Sequence, residues 1–523
     1  MRFAALVLAL AISGCASLFG PHDIAPNGLA RSDETLRRLL ASGRPDTALA
    51  RVAPREKASP NDELLRLLYE GTIAHYAGDY DRSNAAFERA IELAEDRYTK
   101  SVSRAALSLL TSDRVLVYEP NHTERLLIHY YGALNYLQQG NLEDAAVEVR
   151  RLSYLLQRYE DDGTRADERL RTFLRYFAGA VFDAAGETND AQVAYRRALL
   201  LAGEPIFSAD TLPRDTLGEV IVLVERGFVA HRAEQGLIVA LWPEEVDALS
   251  YGDADDRISV GTHIAARIIE HVVRADHPRR PGRPRTLRVP PGPRPERPRK
   301  EERCEEADGA GPKAPAGKAP QPDLERGRPT VAPVGPRPPV DARGPSCPDG
   351  KKRKSDDNPY LLKLAWPVYL AEPTPPLDLS VVGPDSQLVP VRMIADVSDA
   401  VLDEFEGERT AILARTLARA AAKYAITRGV ENEGEEESEG LGRLLGLLVN
   451  LGGVITERAD TRAWHLLPAE IGLARLRLPP GRHTLTLAIQ QGPGSSRTHH
   501  IELGPVDVRP GGVAFVATRL WND

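Results

Sequence analysis

The stretch Leu64–Leu93, LLRLLYEGTIAHYAGDYDRSNAAFERAIEL, reads as two helices that close on each other. Leu68, Gly71 and Ala74 recur on the first, Gly78-Asp79-Tyr80 makes a turn, and Ser83, Phe87 and Ala90 recur on the second. Residues three and four apart share one helical face, so each helix has a contact stripe. Small residues let the two helices cross closely, the aromatic fills the gap, and glycine ends the first helix where the backbone needs a positive φ.

The same turn recurs along the chain. Ala133, Tyr136, Gly140-Asn141-Leu142, Ala145, Val149 and Leu152 form a second copy; Gly179, Phe182, Gly186-Glu187, Ala191, Tyr195 and Ala198 form a third; Leu36, Leu39, Gly43, Ala48 and Arg51 form a fainter one ahead of them. This small-large alternation resembles tetratricopeptide (TPR) units, which repeat about every 34 residues. The turn glycines at 43, 78, 140 and 186 lie 35, 62 and 46 residues apart, so the array is irregular. The stretch 97–124, with Val102, Ala105, Ala106, Leu109 and Leu110, is expected to add a helix between units.

Stacked helix pairs present an extended surface to ligands. Here that surface carries Leu68, His75, Tyr76, Leu127, Tyr130, Leu134, Phe173 and Tyr176. Aromatics of this kind serve as binding anchors, which makes a peptide-binding groove one reading. The other is that inserted helices cover the groove and these residues are core.

After Leu201 the period changes. Gly218–Val224 (GEVIVLV) and Gly236–Leu241 (GLIVAL) are β-branched runs bounded by turn residues and read as strands, and Ser259–Arg274 reads as a helix. Between Asp276 and Asn358 stand 19 prolines with 20 Lys and Arg against 13 acids, a composition that buries too little apolar area to offset its ordering entropy. Order returns at Tyr360: Leu361–Tyr369 reads as a strand, and Leu377–Val382 with Leu388–Ile394 as a hairpin. Val401–Thr427 reads as one long helix, whose Arg415, Arg419 and Lys423 share a face, and Ala474–Leu478, His483–Ile489, Thr498–Leu503 and Val513–Leu520 read as a meander. The fold class expected is therefore α+β, an irregular TPR-like array followed by a mixed domain with an antiparallel meander or sandwich.

The chain begins with Arg2 and the short apolar run Phe3–Ile12, closed by Ile12-Ser13-Gly14-Cys15. A run of about ten apolar residues is too short to span a bilayer and reads as a signal segment. The ISGC tetrad resembles a bacterial lipobox, which implies cleavage before Cys15 and acylation of its thiol and new amine. Ala16, rather than Asp, follows the cysteine and favours the outer membrane over the inner. The organisation expected is a lipoprotein signal peptide (1–14), a lipidated tether (15–30), the helical domain (31–203), a strand-containing region (204–275), a disordered Pro/Arg-rich linker (276–358) and a C-terminal α+β domain (359–523).

The 523 residues carry a formal charge of −8, and with the linker set aside the mature chain stands at about −16. Folded parts that acidic exclude nucleic acid as the expected partner. Besides Cys15 the cysteines are Cys304 and Cys347. In an oxidising periplasm they could pair as a disulfide, whereas a metal site wants more ligands nearby, so no metal and no cofactor are expected.

No catalytic constellation is present. The twelve histidines form no HExxH, and there is no GxSxG elbow, phosphate loop or dinucleotide fingerprint. Asp460, Arg462 and Trp464 alternate within ERADTRAWHLLP, so on a strand they would share a face, as a grip for a peptide or sugar or as an internal ion pair capped by an aromatic.

Four stretches together resemble a family of uncharacterised proteobacterial lipoproteins with tetratricopeptide units: His129–Leu152, Phe173–Leu199, Ile412–Ala425 and Glu457–Leu485. The similarity spans residues 31–250 and 359–523. It implies a fold and a location and carries over no catalytic residue.

The function expected is a non-enzymatic adaptor anchored by lipid at the periplasmic face of the outer membrane, holding a periplasmic or outer-membrane protein or peptide. The alternative is an envelope structural protein that binds peptidoglycan or polysaccharide, and a hydrolase ranks third.

Overall fold

The computed structural model describes residues 22–24, 29–53, 59–98, 116–164, 167–204, 206, 216–242, 244–245, 263, 360–409, 411–412, 415–416, 458–491 and 498–521. Helices α1 (Arg31–Ala41), α2 (Pro45–Val52), α3 (Glu63–Ala77), α4 (Tyr80–Tyr98), α5 (His122–Gln138), α6 (Leu142–Asp161), α7 (Glu168–Ala184) and α8 (Thr188–Ala202) form antiparallel pairs. Each pair turns the same way. Gly43, Gly78, Gly140 and Gly186 have φ of +67°, +78°, +73° and +82°, and the residue after each donates its N–H five residues back, as Asp79 does to Ala74 at 3.0 Å and Asn141 to Tyr136 at 2.8 Å. Only glycine enters that region without strain, so the residues at these positions fix where each first helix stops.

In the pairs α3–α4 and α7–α8 a glycine of the first helix meets the aromatic residue sixteen positions on. A Cβ on Gly71 would lie 2.6 Å from the Phe87 ring, and one on Gly179 would lie 2.8 Å from Tyr195. In the pair α5–α6 the equivalent residue is Ala133 and the residue sixteen on is Val149, so a larger side chain on one helix goes with a smaller one on the other. Helix α5 starts with a reciprocal cap, Asn121 Oδ1 accepting from Glu124 N at 2.7 Å and Glu124 Oε2 from Asn121 N at 3.0 Å.

The strands are β1 (His22–Ile24), β2 (Gly218–Arg226), β3 (His231–Leu241), β4 (Tyr360–Leu370), β5 (Asp378–Val382), β6 (Leu388–Pro390), β7 (Arg392–Asp396), β8 (Glu470–Leu478), β9 (Gly481–Gln490), β10 (Thr498–Val508) and β11 (Val513–Leu520). Among the described residues they make the sheets β11-β2-β8-β7, β10-β9-β5-β6 and β1-β3-β4. All neighbours are antiparallel except β11 and β2, which run parallel.

Strand β2 explains the layering. Ile221 and Leu223 join the core shared with the helices, while Val220, Val222 and Val224 join the core shared with Leu379, Val381, Leu485 and Leu487 of the second sheet. Alternate side chains of a strand point to opposite faces, so a strand apolar on both sides must be covered on both. The order is helices, sheet, sheet.

The fold class is α+β as expected, with three local differences. The β-rich tail takes the sandwich form rather than that of a single meander: β8 and β9 lie in different sheets, the chain crossing at Pro479-Pro480. The strand expected over Leu388–Ile394 is divided at Val391, whose N–H goes to Leu379 O at 2.8 Å; β6 stays in one sheet and β7 passes to the other. The long helix starts at 397 rather than 401, and its expected end lies outside the described residues. The same holds for the helices expected over Val102–Leu110 and Ser259–Arg274 apart from residue 263, and for the linker 276–358. No helix among the described residues is long and apolar enough to cross a membrane.

Candidate functional site

The eight residues of the expected groove lie together, on the first helices of three pairs, and they are covered. Leu68, Leu127, Tyr130, Leu134 and Phe173 have no exposed surface, Tyr176 and His75 are buried, and Tyr76 is half-buried. Among the described residues the cover comes from β2, β11 and the segment that carries Ala463 and Trp464. Phe177 of α7 meets Phe515 of β11, Trp464 donates its indole N–H to Thr72 at 2.7 Å, and Tyr69 donates to the carbonyl of Ala463 at 3.0 Å. The open-groove reading therefore gives way to the core reading, because the aromatic stripe of the array meets the apolar face of β2 and its neighbours.

Charges are buried in that interface and each is answered. Glu219 and Glu225 share the face of β2 that carries Ile221 and Leu223. Arg475 donates to Glu219 Oε2 through Nε at 3.0 Å and Nη2 at 2.6 Å, and to the Tyr176 hydroxyl at 2.9 Å. Tyr76 donates to Glu225 Oε2 at 2.6 Å, and Arg519 donates to Tyr76 and lies 4.6 Å over the Trp521 ring. Breaking such a pair leaves an uncompensated charge in a dry site, so these groups fix the register of sheet on helices. At the other end His465 Nδ1 stands 2.9 Å from Asp33 Oδ2 while its Nε2 accepts the Arg232 N–H at 3.2 Å. Burial lowers the His465 pKa in spite of Asp33.

The Asp460, Arg462, Trp464 trio sits on an irregular segment, not a strand. Asp460 grips Arg462 with both oxygens, 2.8 Å to Nε and 2.7 Å to Nη2, and Arg462 reaches Asp62 at 2.8 Å and the Leu116 carbonyl at 2.9 Å. Trp464 points away into the helical core. The trio is thus an internal ion pair without the indole cap; the Tyr118 ring lies near the guanidinium instead, 6.0 Å away.

Asp460 and Arg462 also line a cleft of about 970 Å³ between the start of α5, the segment 116–121, β4 and the helix that begins at 397. Sequence reasoning missed its other members. Glu404 caps α5 from outside, accepting the N–H groups of His122 at 2.7 Å and Thr123 at 3.1 Å and facing His122 Nδ1 at 2.7 Å. Burial would push the Glu404 carboxyl up, but these bonds hold it below its ordinary range. Glu124 is buried and accepts from Tyr118 Oη at 2.6 Å and Trp464 N at 2.7 Å, yet burial still raises its pKa. Arg232 lies over the rings of Tyr369 and Phe405, and burial pushes the Tyr369 hydroxyl up to about 12. Asn121-x-x-Glu124, a cap signature, was the one readable signal for this site.

Cys15, Cys304 and Cys347 lie outside the described residues. No family model and no curated protein matches the chain. The solved structure of "MamA RS-1 ArsTM double mutant" is similar at 16% identity over 35% of this chain and 100% of that chain, with a TM-score of 0.16, a likeness too slight to bear on fold or function.

Proposed function

We propose that this chain is a non-enzymatic scaffold of the cell envelope, lipidated at Cys15, held at the periplasmic face of the outer membrane, and receiving a protein or peptide partner at the cleft beside α5. The observation that supports the reading is where space is left. The array's aromatic face is sealed by the chain itself, whereas the cleft stays open and its buried carboxylates are tied into fixed hydrogen bonds instead of standing next to a nucleophile. A partner meets the protein there, and the helices act as the frame that holds the cleft in shape.

Two measurements test this. Cys15→Ser should move the chain from the outer-membrane fraction to an unprocessed or soluble form. A photo-crosslinking residue at 415, which lines the cleft, should join a partner in cells, while one at the exposed Tyr154 on α6 should not. A mutant still firm in the membrane removes the anchor, and crosslinks from 154 but none from 415 remove the cleft.

A further inference from the structure

The charges lining the cleft are unevenly engaged. Its buried and half-buried carboxylates are spent: Asp460 on Arg462, Glu404 on the first turn of α5, and Glu124 on Tyr118, Asn121 and Trp464. Glu119 and Glu408 stand exposed at the mouth. Arg232 is different. Among the described residues no carboxylate lies within ion-pair distance of it, and its one side-chain hydrogen bond runs from Nη1 to the Arg462 carbonyl at 3.4 Å. Its Nε is buried without an acceptor, and its Nη2 bonds no described protein atom. The rings of Tyr369 and Phe405, at 5.4 and 5.9 Å, hold the guanidinium against the wall.

A second donor in the same cleft is also unused. Tyr159 is 7% exposed, stands edge-on to His122 at 4.6 Å, and its hydroxyl has no partner among the described residues. Asp460 and Glu124 act on Arg232 only from beyond ion-pair distance, and a half-buried guanidinium without a bonded carboxylate and a buried hydroxyl without an acceptor each cost folding free energy. A site that keeps both gains when a ligand supplies the acceptor.

The chemistry narrows what that ligand is. A planar guanidinium fixed on aromatic faces suits a planar carboxylate, which it can meet with two parallel N–H···O bonds. The lining carries Arg125, Arg158, Arg232, Arg415 and Arg462 against six acids, so a phosphate dianion would enter a region without surplus positive charge. The acids at the mouth suit a ligand whose anion is local and whose remainder is neutral or cationic.

We infer that Arg232 receives a carboxylate of a peptide ligand, either the chain-terminal group or an Asp or Glu side chain, at the floor of this cleft. The peptide character of the ligand rests on the scaffold reading given above; the carboxylate preference rests on the side chains alone.

The test is calorimetric titration of the full-length protein in detergent with four probes: acetyl-Ala-Ala-Ala with a free C-terminus, the same peptide amidated, acetyl-Ala-Glu-Ala amide, and sodium phosphate. The free-acid peptide, the glutamyl peptide or both should bind saturably, about tenfold or more tighter than the amidated one, and the pair of results says which source of carboxylate is read. Arg232→Gln should abolish that difference, and Arg232→Lys should retain part of it. Should the Gln variant fail to fold, the acid-against-amide comparison on the unmodified protein decides. Equal binding of acid and amide, no binding of any peptide, or tighter binding of phosphate overturns the inference. The two readings fail separately. A partner crosslinked from 415 and indifferent to Arg232→Gln removes the carboxylate site and keeps the scaffold; acid-specific peptide binding with no crosslinked partner does the reverse.

Discussion

Glu225 on β2 and Arg519 on β11 are register partners in the parallel strand pair, and both meet the hydroxyl of Tyr76 on the helical layer. Three elements far apart in sequence are joined at one buried point. Arg519→Met should cost about 3–5 kcal/mol, because it strands the Glu225 carboxylate in a dry interface. The double variant with Glu225→Leu should recover much of that loss. Urea unfolding of the single and double variants measures it, and a double variant weaker than Arg519→Met alone would refute the account.

Gly71→Ala tests the contact inside the repeat. The new methyl would meet the Phe87 ring well inside van der Waals distance, and such overpacking costs about 1–3 kcal/mol. Phe87→Leu in the same chain should relieve part of it, which melting temperatures of the two variants would reveal. The same substitution at Gly140 should act through backbone strain instead, since nothing stands near that Cβ, and no partner change should rescue it.

Stability should fall as pH drops from about 6.5 toward 4, the interval between the ordinary histidine pKa and the lowered ones. Burial, then the charge of Arg37 and of His465, pushes His231 down to about 4, and burial also lowers His465 and His75. In that window the unfolded chain takes up protons that the fold refuses, so the slope of stability against pH is positive. Glu124, Asp167 and Asp396, all raised by burial, work in the opposite sense, but they start from the lower carboxylate range, so the histidines govern the upper part of the window. Urea midpoints at pH 7.5 and pH 5 should show the decline, and His231→Gln should flatten it; a midpoint that rises on acidification contradicts the assignment.

Leu241 at the end of β3 and Tyr360 at the start of β4 are Cα partners in the ladder, so the two ends of the intervening stretch stand together. Closing a longer loop costs little, about 0.6 kcal/mol for each doubling of length. Deleting 280–355 should accordingly leave thermal unfolding nearly unchanged. A large cooperative loss would mean that the deleted stretch packs on the rest.

The helical half was legible because its signals are local: a glycine at positive φ and a small residue facing a large one sixteen positions away need nothing from the rest of the chain. Strand existence was equally readable in GEVIVLVER. Strand partners were not, since β2 pairs with β8 and β11, more than two hundred residues later, and nothing within a strand names its neighbour. A clue did stand in plain view. Glu219 and Glu225 flank an apolar run at the parity of Ile221 and Leu223, so if that face is buried each needs a cation, and Arg475, Arg477 and Arg519 supply them from the tail. The Arg232 cleft was hidden for a different reason: it is assembled from six separate segments, and the Asn121-x-x-Glu124 cap is the one local signal among them.

The parallel docking of β11 also sets an order of events during synthesis. The helical pairs are complete once Ala202 has been made, but the layer that shields their aromatic stripe needs β8 and then Val513–Leu520. Until those residues arrive, a growing chain presents Tyr130, Phe173 and Phe177 bare. A product that stops before β11 carries the same bare face for good, so this strand acts as a check on synthesis: only a chain that includes Val513–Leu520 can hide the surface by which holdases and proteases recognise an unfinished one.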